Sequence, residues 1–292
     1  MNITEEENII YKLVYKVPKS YRDNLKGFLI FRLNEGQSIK TIESYGLDLK
    51  QFIEYLSIRN LNIQEVESEN IERYKNYLLR KGLKVKSINR KLTSINQFLK
   101  FNNNQVKYKK LKEQKQNILN DVLEKEEIEK MIYCCKDNLR DKAIILTLFK
   151  MGLRVSELLQ LVVSDTKKSK ITIKGKGGKY RSIPIPKDVK KAWLEYLDVR
   201  TEKKESSLFV GKRGALQRQS INKIIRKYSK KAKIRKEKAH PHSLRHSFCK
   251  ALVAKGVDPI IIADFAGHSS LETTRIYTRQ TERELLNIME II

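Results

Sequence analysis

The C-terminal quarter of the chain holds side chains suited to work on a phosphodiester. His242 and Arg245 lie three residues apart, which puts both on one face of a predicted helix. Pro241 suits that helix's entrance and Gly256 its exit. A histidine and an arginine at a helix N-terminus make an anion site. Further on, Gly267 ends a second predicted helix, so His268 sits at a corner. Ser269 and Glu272 have capping-box spacing, and Tyr277 follows on the helix they open, nine residues from His268. Far upstream, Arg154 lies just after Gly152, where another helix ends. Glu157 is placed either to buttress Arg154 or to cap the next helix.

One more cationic piece completes the set. Residues 170–174 and 180–185 alternate apolar and polar, and Gly175-Lys176-Gly177-Gly178-Lys179 joins them. That pattern predicts a β-hairpin with a glycine-rich tip carrying Lys174, Lys176 and Lys179. Each piece alone is a weak signal. Together they comprise guanidinium anion holders, a proton-accepting imidazole, an ammonium and a phenol. This set can break a phosphodiester without a metal. No Asp, Glu or Cys completes a ligand set with His242, His246 and His268, so neither a metal site nor a cofactor is expected.

The elements that must position these groups follow from hydrophobic spacing. From about Ser20 to Lys100, apolar residues recur at three and four positions, which predicts four short helices. Residues 1–18 read as a mixed lead-in to this compact helical domain, 1–105. The last loop and helix of the domain carry Lys81, Lys84, Lys86, Arg90 and Lys91, a cluster expected to face phosphates. Residues 106–121, dense in Lys and Gln, read as a basic linker. Residues 122–292 alternate helical patterns with the one hairpin and end in an apolar stripe, including Leu286 and Met289, behind a capping box at Thr281 and Glu284. The fold class expected is mainly α: a helical N-terminal domain, then a mostly α C-terminal domain with a small antiparallel sheet.

Charge narrows the partner. Sixty-one basic residues oppose 34 acidic ones, giving +27. An AT-rich genome would favour lysine, but composition bias alone does not create so large a net charge, and a polyanion accounts for it. Residues 1–105 carry +6 and the remainder +21, so the second domain holds the stronger field. The sequence has no apolar run of transmembrane length and no secretory signal pattern. Three cysteines, Cys134, Cys135 and Cys249, form no metal-ligand spacing and point to a reducing cytoplasm; the nucleic-acid partner that the charge implies adds an expected association with the nucleoid.

The order of Arg154, the hairpin lysines, His242 with Arg245, Gly267 with His268, and Tyr277 resembles the tyrosine recombinase (lambda-integrase-like) family. The likeness runs from about Ser20 to the C-terminus. It implies a helical core-binding domain followed by a catalytic domain, and a site-specific DNA recombinase that works through a 3′-phosphotyrosyl intermediate without ATP or metal. In that scheme Tyr277 is the nucleophile and His242 the general base or proton relay. Arg154 and Arg245 hold the non-bridging oxygens, and His268 donates a hydrogen bond to the phosphate. Lys176 is the general acid, with Lys179 as its rival. A phenol of pKa about 10 needs roughly 4 kcal/mol of help at pH 7, which is what such a site must supply.

The resemblance also implies the partners: double-stranded DNA with inverted-repeat core sites, and a homo-tetramer on that DNA, or a hetero-tetramer with a related recombinase. In this family the apolar tail docks into a neighbouring subunit; folding back onto its own domain is the alternative. The lead-in before the helical domain is expected to be too short for an arm-site-binding domain. That favours a simple Xer-like or transposon-encoded enzyme, acting in dimer or cointegrate resolution or in integration and excision of a mobile element. Type IB topoisomerases use similar chemistry, and a non-catalytic DNA-binding protein is the reading from another class. Covalent capture of DNA that depends on Tyr277 separates the latter.

Overall fold

The computed structural model describes residues 5–113, 119, 122–174 (174 by its backbone), 180–201, 206–267, 274, 276–279, 284, 286 and 289–290. The chain divides into two compact units, Met1–Lys115 and Gln116–Ile292. The described residues are mostly helical, with two small antiparallel ribbons among them.

The described residues of the first unit form five α-helices: α1 (Glu5–Val14), α2 (Arg22–Asn34), α3 (Ile39–Ser57), α4 (Ser68–Arg80) and α5 (Val85–Phe101). Ser38 caps α3 by accepting the Thr41 N–H at 3.3 Å. Ile42, Leu49, Phe52, Ile53 and Leu56 of α3 and Ile88, Leu92, Ile95, Phe98 and Leu99 of α5 are buried, which makes these two helices the centre of the core. The lead-in differs from the sequence reading: it forms α1. Ile10, Leu13 and Val14 have helical spacing and are buried. A helix of this length is marginal alone. It is held because α3 offers Gly46, where a Cβ would come within 2.7 Å of Leu13.

Residues 106–113, expected within a solvated linker, run along this unit instead. The Tyr108 hydroxyl donates to the Leu92 carbonyl at 2.6 Å. The Asn89 side chain exchanges two hydrogen bonds with the Leu111 backbone, both at 2.9 Å. A lysine-rich segment can therefore be anchored through its few apolar and backbone groups.

The second unit contains α6 (Lys125–Tyr133), α7 (Leu139–Met151), α8 (Val155–Leu158), β1 (Lys170–Lys174), β2 (Tyr180–Pro184), α9 (Lys187–Val199), β3 (Val210–Gly211), β4 (Gly214–Ala215), α10 (Arg218–Lys231), α11 (Pro241–Ala254) and α12 (Pro259–Ala266). β1 and β2 pair antiparallel, from Lys170 opposite Pro184 to Lys174 opposite Tyr180, as the alternation predicts. The β3–β4 ribbon is too short to be read from alternation. Helix α7 is buried nearly all round, from Ala143 to Leu148, and so forms the spine of this unit. Against it lies the fully buried Trp193 of α9, whose indole N–H donates to Thr147 Oγ1 at 2.7 Å. Near the end of the chain, Tyr277 sits in a short 3-10 turn, Ile276–Thr278, rather than in the continuous helix expected there. No described helix is long and apolar enough to cross a membrane.

Candidate active site

Helix α7 ends at Gly152, which has φ 59°. A Cβ at this position would lie 2.2 Å from Phe248 Cδ1 on α11. Glycine thus permits both the left-handed turn and the close seating of α11 on the end of α7. The chain then enters α8 through Arg154. Its backbone N–H donates to Glu157 Oε2 at 2.7 Å, and its guanidinium donates to Glu157 Oε1 at 2.9 Å. Glu157 therefore both caps α8 and buttresses Arg154.

Helix α11 begins with Pro241 in its first turn, and His240 Nδ1 accepts the Ser243 N–H at 3.2 Å. Its Arg245 is almost completely buried. One terminal nitrogen donates to the Gly152 carbonyl at 2.7 Å and the other to the Ala266 carbonyl. Helix α12 is capped at its start by Asp258, which accepts the Ile260 N–H at 2.6 Å, and closes at Gly267 with φ 59°.

The end of α12 gathers three guanidiniums. Arg181 of β2 donates to the Phe265 carbonyl at 3.0 Å, Arg245 to Ala266, and Arg154 to Gly267 at 2.6 Å. These are consecutive carbonyls at a helix C-terminus, where helical partners run out and the dipole is negative. Beneath them lies Glu157, whose side chain is 3% exposed. Arg181 reaches its two oxygens at 3.0 and 2.9 Å, and Arg245 stands 3.9 Å away. Burial alone would raise the Glu157 carboxyl pKa. Hydrogen bonds from Arg181 and from the Arg154 backbone outweigh burial and hold it below its ordinary range. Burial, and then the charge of Arg154, lowers Arg245 to about 10, which still leaves it charged at neutral pH. Three cations facing one carboxylate leave a positive surplus, and the Arg154 side chain keeps about a third of its surface open to solvent.

Two histidines, His242 and His246, flank Arg245 on α11. Desolvation by its neighbours, followed by the charges of His246, Arg245, His240 and Arg154, lowers the His242 pKa to about 4, although the residue as a whole is exposed. It is therefore neutral at pH 7 and able to accept a proton. His246 lies one turn on, its ring 5.5 Å from that of His242 and 5.5 Å, edge to face, from that of Tyr277. Tyr277 is only 1% exposed, inside a small apolar cluster with Cys249, Ile262 and Ala266. Its hydroxyl is hydrogen-bonded to the Cys249 side chain.

Of the residues singled out in the sequence, the structure gathers Arg154, His242, Arg245 and Tyr277 within the second unit. Lys176, Lys179 and His268 lie outside the described residues, as does the Lys174 side chain. In the first unit the basic cluster splits. Lys81, Lys84 and Lys86 are exposed around the turn from α4 to α5. Arg90 holds the buried Asp48 with both terminal nitrogens, at 2.5 and 2.8 Å, while half of its side chain remains exposed. Lys91, 13% exposed, gives its ammonium to the same carboxylate at 3.1 Å. Sequence reasoning gave no role to His246 or Arg181. The four-residue step from His242 to His246 signals a shared helix face. No local pattern marks Arg181.

The family described as "Phage integrase family" matches residues 121–284, more than half of the chain. The chain belongs to this family of tyrosine recombinases. The family's N-terminal SAM-like domain matches residues 25–105. Tyrosine recombinase XerA of Pyrococcus furiosus is 34% identical over 275 residues, covering 91% of this chain and 92% of the relative. Tyrosine recombinase XerD of Halalkalibacterium halodurans is 31% identical over 297 residues, covering 92% and 97%. Among solved structures, the XerH site-specific recombinase bound to its difH substrate in a pre-cleavage complex aligns with TM-score 0.68 at 25% identity, covering 97% of this chain and 94% of that one. This recombinase therefore has relatives that span its whole two-part architecture.

Proposed function

We propose that this tyrosine recombinase cleaves and rejoins duplex DNA at specific sites through a 3′-phosphotyrosyl intermediate. The observation that carries the reading is the placement of Arg154 and Arg245 over one buried carboxylate, in the same unit as a neutral His242 and a tyrosine reached through His246. In the reaction, Tyr277 Oη attacks phosphorus, forming the P–O(Tyr) bond as the P–O5′ bond breaks. The phenolic proton passes to His242, and a proton from Lys176, or from its rival Lys179, goes to the departing 5′-oxygen. His268 donates a hydrogen bond to the phosphate. The guanidiniums stabilise the added charge at phosphorus. The phosphate bond is exchanged rather than hydrolysed, so religation needs no external energy source and no metal or cofactor.

Before DNA binds, Tyr277 and Arg245 are both buried, the latter against the Ala266 carbonyl. Cleavage therefore requires Tyr277 to leave its apolar cluster and Arg245 to be uncovered. The net charge and the exposed Lys81, Lys84 and Lys86 support a grip on duplex DNA, as do Lys174 and Lys179 of the hairpin and Arg90; Lys91 serves mainly to neutralise Asp48. XerH is solved on its difH substrate, and the same kind of ligand, carrying inverted-repeat core sites, is proposed here. The working form is a tetramer in the cytoplasm, in which the tail of one subunit docks on the next. Exposure of Leu286 and Met289 supports that docking. Its tasks are resolution of DNA dimers or cointegrates, or movement of a mobile element.

The test is to recover protein–DNA adducts from cells after denaturation and to sequence the attached ends. DNA should be joined by its 3′-phosphate to Tyr277, with one recurrent sequence at the junction. Tyr277→Phe should bind DNA but give no adduct. Adducts from that variant, or none from the wild-type chain, would overturn the reading.

A further inference from the structure

We infer that Arg181 is a positioning residue for strand cleavage: it fixes Glu157 and the end of α12 so that Arg154 can present its guanidinium to the scissile phosphate. The inference rests on the function proposed above. Arg181 reaches its partners from β2, 24 residues beyond Glu157 in the sequence. Its side chain is 14% exposed. All three of its nitrogens are engaged, two on Glu157 and one on the Phe265 carbonyl. It therefore acts through these groups, not by touching DNA.

The hydrogen-bond pattern shows how. Each Glu157 oxygen accepts one bond from Arg181 and one from Arg154. Oε1 takes the two guanidiniums, at 3.0 and 2.9 Å. Oε2 takes Arg181 at 2.9 Å and the Arg154 backbone at 2.7 Å. The planar fork of Arg181 thus sets the plane of the carboxylate, and the carboxylate sets the direction of Arg154. Without Arg181 the buried carboxylate would lose half of these bonds and would turn toward Arg154, drawing its charge away from the phosphate. Arg181 also packs against the turn that follows α12, where a Cβ on Gly267 would come within 2.5 Å of its guanidinium. It is two residues beyond Lys179 and so ties the lysine-bearing hairpin to the arginine pair. A lysine could contact one carboxylate oxygen but could not hold both and the Phe265 carbonyl at once.

The experiment uses the full chain and a synthetic duplex spanning the cleavage site mapped by adduct sequencing. Single-turnover adduct formation is measured for the wild type, Arg181→Gln and Arg181→Lys. One duplex carries the natural scissile phosphate and the other a methylphosphonate, which has no negative charge for a guanidinium to hold. Folding is followed by Trp193 fluorescence and DNA affinity by titration. On the natural duplex, Arg181→Gln should bind normally and cleave roughly 100-fold more slowly, the loss typical of a misplaced catalytic group. Arg181→Lys should fall between it and the wild type. On the methylphosphonate duplex the three rates should converge. Equal losses on both duplexes would overturn the inference, as would wild-type cleavage by Arg181→Gln. If Arg181→Gln does not fold, the ratio for Arg181→Lys decides in the same way. Absence of adduct from the wild-type chain on the natural duplex refutes the underlying function instead.

Discussion

Replacing Gly152 with alanine should unfold the second unit more easily and misplace Arg154 and Arg245, the pair proposed to hold the phosphate. Two costs add. An L-residue held at φ 59° pays about 1–2 kcal/mol. The new Cβ would also lie 2.2, 2.6 and 2.9 Å from three ring atoms of Phe248, so the ring or helix α11 must move. Overpacking of this kind costs about 1–3 kcal/mol. The total, about 2–5 kcal/mol, corresponds to a fall in Tm of roughly 5–15 °C for a unit of this size. Trp193 is the sole tryptophan and is fully buried in the second unit, so its fluorescence reports that unit's unfolding. Comparing Gly152→Ala, Phe248→Ala and the double variant by urea titration separates the two costs. The steric part should vanish in the Phe248→Ala background, leaving a residual of about 1–2 kcal/mol from the backbone. Because the Gly152 carbonyl accepts from Arg245 at 2.7 Å, adduct formation should fall even where the variant is folded. A cost for Gly152→Ala below about 1 kcal/mol, or one unchanged by removal of the Phe248 ring, would refute this account of the turn.

Three further outcomes follow from the same geometry. The Glu157 carboxyl is held below its ordinary range in the folded state, so it contributes stability above its unfolded pKa of about 4.3 and loses it as pH falls through the folded value. Glu157→Gln should flatten the acid side of the urea-stability profile, and an unchanged slope below pH 4.3 would count against the Arg181–Glu157–Arg154 linkage. His242, depressed to about 4, binds its proton more readily in the unfolded chain; stability should therefore decline as pH drops from about 6.5 toward that value. Nitrogen-detected NMR at pH 5.5 should find its imidazole neutral where an ordinary histidine is mostly protonated, and a charged ring would contradict the depression. In the first unit, Asp48→Ala leaves Arg90, Lys91 and Ser94 without their shared acceptor and should cost about 3–5 kcal/mol. Hydrogen exchange in α3 and α5 would register that loss; unchanged protection would show the ion cluster to be incidental.

Much of this recombinase is legible in the sequence because it is local. Three- and four-residue spacing determines α2 to α5, alternation determines the β1–β2 hairpin, and Gly152 and Gly267 mark where helices end. The order of arginine, histidine and tyrosine motifs likewise needs no coordinates. Helix α1 escaped that reading because ten residues hold a helix only with a partner, and the partner surface at Gly46 lies more than thirty residues away. Tertiary structure alone decided how the site is assembled. Arg154 meets the Gly267 carbonyl across 113 residues, Arg245 meets that of Gly152 across 93, and Arg181 reaches Phe265 across 84. It also decided that Lys91 neutralises Asp48 and that Tyr277 lies buried beside Cys249 and His246. The physical reason is that hydrophobic period and capping act within a turn or two. Where a charge finds its counter-charge depends on how distant elements pack, and that packing places three arginines around one glutamate.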